Sequence, residues 1–503
     1  MEPWIVADDD GLLLGVNLDG CVSPVFCSVN RQSTVLVISH DIVGRKMAGP
    51  GIRYWQLARV LTECCDVTLA VPNDVSGLSA NVSGLTVQEY SLGDWSTLEP
   101  FVRNSDVMLL CGDTLAMFPA LQYSHKPVVV DGYDPHTLET LALFNGMAEQ
   151  DSRYSEREKI LEIQCAVGDY FICASERQRD WWLGLLEAAG RVNPYTYSDD
   201  PSLRALVDVV PFGLPAVPPC HTKSVVKGVW PGVDCRDKVV LWGGGLWRWL
   251  DPFTAIRAMA QIGDMRDDVR LIFPGTIHPH PDMSGMPTWL EKARDLSRDL
   301  GLLDTSVFFG DWIPVEDWPN VLLESDIGLS LHMDTVETRL AFRTRVVDYI
   351  WAGLPMILTQ GDATGELVAS YGIGTLVDYE KTENVVQALL SLLDVPKDHF
   401  SRPFREARDR LSWAVVAQPL LDFCIQPRCA PDRNVRARIY AASEHGHDNL
   451  MGECGPGYLT LKETSEAQKA EIDRLRDVVA GYEGGRFIRL MRWLRKVRAS
   501  LGL

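Results

Sequence analysis

The sequence predicts an α/β protein in which two Rossmann-like domains follow each other and a charged helical extension ends the chain. Three observations predict this fold. The chain is 503 residues long, which suits two large domains with appendages, or about three domains. Short apolar, β-branched runs recur along it, and the order of strand, glycine loop and helix occurs twice. Hydrophobic residues make up 46% and charged residues 23%, which excludes a mainly disordered or membrane-embedded chain.

The N-terminal Rossmann-like domain is expected over residues 33–222. Ser33–His40 has the pattern of a buried parallel strand, Ile52–Thr62 that of a helix, and Asp66–Val71 that of the next strand. Further strands of the same sheet are predicted at Val107–Cys111, Pro127–Asp131 and Tyr170–Ala174. Residues 1–32 have no clear role.

The C-terminal Rossmann-like domain is expected over residues 238–425, after a proline-rich linker at Pro211–Asp237. It begins with a strand at Lys238–Trp242, a loop at Gly243–Gly245 and a helix at Pro252–Ile262. The remaining strands are predicted at Val269–Phe273, Val307–Phe309, Ile327–Leu331, Pro355–Leu358 and Gly374–Val377.

The last part of the chain has a different composition. Residues 426–458 are rich in Pro, Gly and Asn and are predicted to be a linker, and residues 459–503 a charged helix with a basic amphipathic tail. The segment Arg486–Leu503 carries six Arg and Lys and no acid, and its apolar residues fall on one helical face. We therefore expect it to bind an anionic membrane surface, with packing on the acidic body of the protein or on a partner protein as alternatives. The helix at Leu459–Tyr482 is either solvated or a short coiled coil that would form a homodimer.

Charge and cysteine usage exclude several classes of function. The formal net charge of -20 disfavours nucleic acid as a partner. The 12 cysteines include no Cys-x-x-Cys pair, which indicates neither a zinc cage nor a disulfide framework. A basic, apolar secretion signal is missing at Met1–Asp10, and no run of about 18 apolar residues follows. We expect a cytoplasmic protein, with the inner face of the cell membrane as its site of peripheral attachment.

In each domain, a glycine loop follows the first strand. At this position the backbone of a parallel sheet can bind phosphate. The first contains Gly49 and Gly51, and the second contains Gly244 and Gly245. Neither loop has the Walker or the dinucleotide-binding pattern, and each by itself would fit a tight turn. Their equivalent placement in both domains favours a ligand-binding role.

The segment Asp334–Pro355 is the richest in charged residues near a strand. It contains Glu337, Arg343, Arg345 and Asp348. Arginine suits a diphosphate because its planar group donates two hydrogen bonds at once, and carboxylates suit sugar hydroxyls. A charged surface helix with salt bridges is the alternative interpretation.

This segment resembles the donor-binding half of the retaining glycosyltransferases of family four, which have the GT-B fold. The resemblance spans about Ser33–Phe423 and is most specific at Asp348–Pro355. Other segments are similar to bacterial members of the type that builds surface polysaccharides: Ala48–Tyr54, Ser175–Gln178, Val210–Pro215, Gly243–Pro252, Phe308–Trp312 and Asp362–Glu366.

The resemblance implies a nucleotide-diphosphate sugar bound mainly to the C-terminal domain and a glycan or lipid-linked acceptor on the N-terminal domain. Asp348 stands where the second glutamate of the family's Glu-x7-Glu motif would grip the ribose. The first glutamate falls at Leu340, so Glu337 is taken as its substitute near the donor sugar. The remaining donor-binding candidates are Arg248, Arg343, Arg345 and Glu366, together with the four glycines.

The family's histidine near the donor sugar has three competing candidates, Asp131, Asp134 and His136, each of which would otherwise be a cap or turn residue. No metal and no cofactor beyond the donor is expected. Two rival functions stay open on the same fold: a nucleotide-sugar epimerase and a catalytically inactive scaffold. The donor base and sugar, the acceptor and the linkage are left undetermined.

Overall fold

The computed structural model describes residues 5–7, 13–16, 22–25, 33–75, 82–276 and 288–434. The chain forms two compact units, residues 1–433 and 434–503. The predicted coiled coil, the basic tail and most of the predicted linker at 426–458 lie outside the described residues.

Residues 1–32 contain three short strands: β1 (Ile5–Ala7), β2 (Leu13–Val16) and β3 (Val22–Val25). They pair antiparallel in the order β1-β2-β3. The sequence analysis predicted no element in this segment.

The N-terminal sheet has seven parallel strands in the order β10-β9-β8-β7-β4-β5-β6. They are β4 (Thr34–Ile38), β5 (Asp66–Val71), β6 (Leu85–Glu89), β7 (Val107–Leu110), β8 (Val128–Asp131), β9 (Tyr170–Cys173) and β10 (Val207–Val209). All five predicted strands are confirmed, because their runs are buried on both faces. The two strands that were missed, β6 and β10, lie at the edges, where burial is partial and the apolar run is short.

The C-terminal sheet has six parallel strands in the order β13-β12-β11-β14-β15-β16. They are β11 (Lys238–Trp242), β12 (Val269–Phe273), β13 (Val307–Phe309), β14 (Ile327–Ser330), β15 (Met356–Thr359) and β16 (Gly374–Val377). Each was predicted from its apolar run. The order reverses between β11 and β14, which puts the carboxyl ends of both strands beside a crevice.

Helices connect the strands in both domains. Those between the strands of the N-terminal sheet are α1 (Gly49–Leu61), α2 (Trp95–Arg103), α3 (Gly112–Met117), α4 (His136–Phe144), α5 (Gln150–Val167), α6 (Glu176–Ala188) and α7 (Pro194–Asp199). The later ones are α8 (Pro252–Gly263), α9 (Thr288–Asp299), α10 (Trp318–Glu324), α11 (Val336–Leu340), α12 (Thr344–Ala352), α13 (Ala363–Tyr371), α14 (Thr382–Leu392), α15 (Ser401–Leu411), α16 (Trp413–Val416) and α17 (Gln418–Ile425). Within the described ranges, no helix is both long and apolar enough to span a bilayer.

The chain returns to the N-terminal domain after α15. The ring of Trp413 packs on Phe212 with centroids 5.0 Å apart, and Phe423 stacks on Tyr170 at 4.6 Å. The end of the segment predicted as the C-terminal domain therefore packs on the N-terminal sheet. This return ties the two domains together in addition to the linker.

The first residues of the predicted linker at 426–458 are fastened to the N-terminal domain. Asp432 is fully buried and forms an ion pair with Arg191 at 2.8 Å, and Arg433 pairs with Asp169 at 2.8 Å. Asp169 also accepts a hydrogen bond from the backbone N–H of Ala430. The composition of this segment predicts a free linker. Composition does not reveal that Asp432 forms an ion pair with the buried Arg191.

We expect Asp432→Ala to destabilise the protein strongly, because it leaves the buried Arg191 guanidinium without its carboxylate. Loss of one partner of a buried ion pair costs about 3–5 kcal/mol. Urea unfolding followed by tryptophan fluorescence measures the effect. The control is Asp422→Ala, which removes an exposed carboxylate from the neighbouring helix. Equal unfolding midpoints for the two variants would contradict the fastening role.

Candidate active site

A cavity of about 970 Å³ opens between the carboxyl ends of the two parallel sheets. Its N-terminal wall comes from residues that follow β4 and β8, and its C-terminal wall from the loop after β11 and the start of α12. Ligands of open parallel sheets bind at this edge, because backbone N–H groups and helix N-termini converge there.

The glycine loop after β11 forms the floor of the C-terminal wall. Gly244 has a φ of +87°, a backbone conformation that residues with a side chain rarely adopt. The N–H of Gly243 donates a hydrogen bond to Tyr349 Oη at 2.8 Å, which holds the loop against α12. Gly244 and Gly245 both line the cavity, as expected for donor-binding residues.

The two glycines of the N-terminal loop have different positions. Gly49 lines the cavity at the start of α1. Gly51 does not, and a Cβ at this position would lie 2.2 Å from the carbonyl oxygen of Ile42. Gly51 therefore allows close packing of the preceding loop on α1, which is a structural role.

Arg345 lines the cavity beside the glycine loop, at the first turn of α12. Its Nη2 donates to the Gly245 carbonyl oxygen at 3.1 Å, and its guanidinium lies over the Trp242 ring. Among the described residues, its buried Nη1 has no hydrogen-bond partner, and no carboxylate lies within ion-pair distance of it. Burial, with Arg343 nearby, lowers the pKa of Arg345 to about 10. An anion in the cavity would stabilise this charge.

Asp348 lies one turn further along α12 and also lines the cavity. It accepts a hydrogen bond from Trp318 Nε1 at 2.9 Å, which orients the carboxyl group. Burial raises the pKa of Asp348 to about 7, although Trp318 and Arg345 favour the ionised form. The position fits the predicted contact with ribose hydroxyls. Sequence reasoning did not identify Trp318.

Arg343 lines the cavity too, but its charge is already matched. Glu337 accepts hydrogen bonds from both terminal nitrogens of Arg343, at 2.9 and 2.8 Å. Glu337 is only 3% exposed and does not line the cavity, so a direct contact with the donor sugar does not fit its position. Burial raises the pKa of Glu337 despite the arginine. Glu337 therefore orients Arg343.

The third predicted arginine, Arg248, lines the outer part of the cavity. Its Nη1 donates weakly to the carbonyl oxygen of Asn145 across the cleft, at 3.4 Å. The neighbouring rings of Trp247 and Trp249 stack with centroids 5.5 Å apart and line the same wall. This part of the site is wide and aromatic.

Asp131 is a structural residue. Its carboxylate accepts two hydrogen bonds from Arg53, at 2.7 and 2.9 Å, and both side chains are almost completely buried. Arg53 also donates to the carbonyl oxygens of Val210 and Pro211, at the start of the linker. Asp131 does not line the cavity, so of the three competing candidates only Asp134 and His136 do.

Asp134 and His136 form a cluster with Glu139, which sequence reasoning missed. The ligand atoms of the three residues lie within 4.8 Å of one another and line the cavity. Burial and the nearby Glu139 raise the pKa of Asp134 to about 8. Burial disfavours charge on His136, yet Glu139 and Asp134 raise its pKa to about 9. The cluster can hold a proton or a cation.

Glu366 lies outside the cavity and joins the two domains. It pairs with Arg177 of α6, which also donates to the Gly361 carbonyl oxygen. The next residue of α6, Gln178, donates to the Leu340 carbonyl oxygen at 2.8 Å. The predicted donor-binding role of Glu366 does not fit this position, and the contact instead joins α6 of the N-terminal domain to α13 of the C-terminal domain.

Solved structures with the same arrangement of two domains include several glycosyltransferases. HepE from Anabaena, in complex with UDP and glucose, has a TM-score of 0.56 and 14% identity, covering 78% of this chain and 98% of HepE. Sucrose-phosphate synthase from Thermosynechococcus elongatus has a TM-score of 0.54 and 15% identity, covering 81% and 99%. A glycosyltransferase from Rickettsia africae has a TM-score of 0.53 and 13% identity, covering 79% and 99%. This likeness confirms the GT-B fold.

Sequence comparison finds fewer similar proteins than structural comparison does. No family model matches the chain. A chitobiosyldiphosphodolichol beta-mannosyltransferase from Debaryomyces hansenii is 30% identical over 98 residues, which is 19% of this chain. The chain spans about a fifth of the length of this curated relative, since the match covers 20% of it.

We expect Asp134→Asn to make the protein more stable at pH 8 than the parent. A carboxyl group whose pKa is raised in the folded state binds its proton more tightly there, so folding stability falls as pH rises from about 4 to about 8. The asparagine removes this slope. Urea unfolding at pH 5 and pH 8 measures it.

The comparison variant is Asp131→Asn, which leaves the buried Arg53 charge unmatched and should destabilise the protein at both pH values. If the parent and Asp134→Asn had the same pH dependence of unfolding, the raised pKa of Asp134 would be ruled out.

Proposed function

We propose that this protein is a GT-B glycosyltransferase that transfers a sugar from a nucleotide-diphosphate sugar to an acceptor hydroxyl. The fold supports the proposal, as does HepE, whose structures hold UDP and UDP-glucose. The partial match to a mannosyltransferase from Debaryomyces hansenii agrees with it. Fold alone would not suffice, because one fold hosts many activities.

The observation that carries the proposal is the half-buried Arg345 guanidinium, whose buried Nη1 has no hydrogen-bond partner and which has no carboxylate partner among the described residues. A cation taken partly out of water is stabilised by a matching anion. The cavity beside it is lined by Gly244 and Gly245, which would admit a diphosphate close to the backbone. As the bond to the anomeric carbon breaks, negative charge grows on the diphosphate, and Arg345 would stabilise it.

Three other residues would complete the donor site. Asp348, oriented by Trp318, would accept hydrogen bonds from the ribose hydroxyls. Arg343, held by Glu337, would add a second cationic group near the sugar. On the opposite wall, the Glu139 carboxylate of the cluster with Asp134 and His136 would receive the proton of the acceptor hydroxyl. Contacts between the domains, such as Arg177 with Glu366, would keep water out during transfer.

The finer assignment rests on the sequence resemblance. It includes retention of anomeric configuration, a glycan or lipid-linked acceptor, and a role in cell-surface polysaccharide biosynthesis. It also includes a cytoplasmic location, with the segment Arg486–Leu503 attached to an anionic membrane surface. The rivals are an epimerase and an inactive scaffold. The scaffold is favoured by one observation: Leu340 occupies the place of the first glutamate of the motif.

We expect Arg345→Met to weaken the binding of a nucleoside diphosphate at least tenfold, because the substitution removes a charge-assisted hydrogen bond to phosphate and the matching charge. Isothermal titration of the full chain with UDP, GDP, ADP and dTDP measures the affinity and identifies the base. The control is Arg402→Met, which removes an exposed arginine from α15 that pairs with Glu406 on its own helix.

Nucleotide binding and donor turnover together distinguish a transferase from an epimerase and from an inactive scaffold. A transferase releases the nucleoside diphosphate from its sugar faster when an acceptor is present. An epimerase converts the donor without an acceptor, and a scaffold binds none of the four nucleotides. Tight nucleotide binding that is unchanged in Arg345→Met would contradict the proposed donor site.

We further propose that transfer needs no metal ion, because Arg345 supplies positive charge where a diphosphate would lie. Removing metals with a chelator, followed by dialysis, should leave the rate of nucleotide release unchanged within about twofold. The cluster at Asp134 makes this a demanding test, since its ligand atoms are close enough to hold a cation. Complete loss of turnover, with recovery on adding Mg²⁺ or Mn²⁺, would contradict metal independence.

A further inference from the structure

A histidine and a cysteine pair at the far end of the N-terminal wall. His40 follows β4 and lines the cavity, and Cys111 follows the neighbouring strand β7. His40 Nδ1 lies 3.2 Å from Cys111 Sγ. Cys111 is only 2% exposed and does not line the cavity. Cys111 engages Nδ1, and among the described residues Nε2 of His40 has no hydrogen-bond partner, so Nε2 is the ring nitrogen available to a ligand in the cavity.

The pairing limits what Nε2 can do. If Cys111 is a thiolate, it accepts from Nδ1–H of an imidazolium, and Nε2 also carries a proton. If Cys111 is a thiol that donates to Nδ1, the neutral ring carries its proton on Nε2. If Nδ1–H instead donates to the thiol and the thiol donates to Thr114 Oγ1, 3.6 Å away, Nε2 is an acceptor. Burial disfavours charge on His40, yet Cys111 raises its pKa to about 10, and His40 in turn lowers the pKa of Cys111. Around neutral pH, Nε2–H is a hydrogen-bond donor.

The charges around His40 balance one another. The His40 and Cys111 charges compensate, and Asp113 is paired with Arg157 at 2.7 Å. Asp41 adds a carboxylate on the same wall, and the ring of Tyr54 meets His40 edge-on at 5.7 Å.

Beyond this pair, the cluster of Asp134, His136 and Glu139 lines the next part of the cavity. Because His136 faces two carboxyl groups there, this neighbouring cluster adds no unmatched positive charge. The His40 end of the cavity therefore has no excess positive charge to attract a phosphate.

Two apolar side chains line the same end of the cavity. Leu92 is 50% exposed and Met117 is 37% exposed, so both offer apolar surface to a ligand. A hydrogen-bond donor, carboxylate acceptors and apolar surface together suit a neutral sugar ring, which has hydroxyl groups at its edge and C–H groups on its faces.

We propose that this end of the cavity is an acceptor subsite for an uncharged sugar, in which His40 donates a hydrogen bond to a sugar oxygen and Cys111 positions the imidazole. The inference rests on the proposed function and names the class of acceptor group that binds there. Asp41 and the Asp113 carboxylate would accept from the hydroxyls, and Leu92 and Met117 would contact the ring face. Anionic acceptor groups are expected to bind elsewhere.

Saturation-transfer NMR on the full chain tests the subsite, with methyl glucoside, galactoside and mannoside as neutral probes and glycerol 1-phosphate as the anionic probe. With the donor site filled by the nucleoside diphosphate that the titration identifies, we expect saturation transfer to at least one hexoside and none to glycerol 1-phosphate. His40→Leu should weaken hexoside binding about fivefold, the effect of losing one hydrogen bond to a neutral group. His40→Gln, which retains an N–H donor, should restore most of it.

The role of Cys111 needs a readout of its own. Thiolate absorbance at 240 nm, compared between the parent and Cys111→Ser, should titrate well below the usual thiol pKa of about 8.5. It should shift upward in His40→Gln. Cys111→Ser keeps a hydroxyl partner for Nδ1 and should bind the hexoside, whereas Cys111→Val should bind it less well.

The proposal would be overturned by binding of glycerol 1-phosphate alone, by binding of none of the probes, or by hexoside binding that His40→Leu leaves unchanged. These failures are distinct from failure of the donor site, because nucleotide titration of the same variants reports on Arg345. If nucleotides bind and hexosides do not, the transferase proposal stands and the acceptor subsite does not.

Discussion

Two parallel sheets that end at one cleft constrain everything else in this molecule. Side chains that follow the carboxyl ends of β4, β7 and β8 face those that follow β11 and precede α12, so chemistry from both domains converges on a single cavity. The return of the chain through Phe423 and the fastening of Asp432 add further connections to the N-terminal domain. The contact of Arg177 with Glu366 joins α6 to α13.

The arginines of this protein differ in whether a carboxylate pairs with them, and this difference distinguishes structural arginines from a candidate ligand-binding one. Arg53, Arg191 and Arg343 each meet a carboxylate with two hydrogen bonds or a close ion pair, so their charges are satisfied inside the protein. Arg345 differs, because it is held by a backbone carbonyl and an aromatic face, neither of which neutralises it. A half-buried cation whose buried Nη1 lacks a partner would be stabilised by a matching anion, and this is why we propose an anionic ligand beside the glycine loop.

The sequence was sufficient for the frame of the fold and for part of the site. Continuous apolar runs predicted the central strands, and the glycine loop with Arg345 and Asp348 was identified by type and spacing. Sequence could not show which carboxylates were already engaged. Asp131 and Glu337 looked available, but each pairs with a buried arginine, Asp131 with one distant in sequence.

Other residues were missed because their roles depend on tertiary contacts. Trp318 orients Asp348 from thirty positions away, and Cys111 meets His40 only because β4 and β7 are neighbours in the sheet. Glu139 joins Asp134 through the first turn of α4. No local pattern marks such pairs, whereas neighbouring strand ends in a known sheet order would have indicated them.

A crystal structure of the full chain with a nucleoside diphosphate bound would show whether the nucleotide binds in the cavity through Arg345. We expect a phosphate oxygen within hydrogen-bond distance of the Arg345 guanidinium, above Gly244, with the ribose hydroxyls at Asp348. A nucleotide bound away from α12, with Arg345 still unmatched, would contradict it.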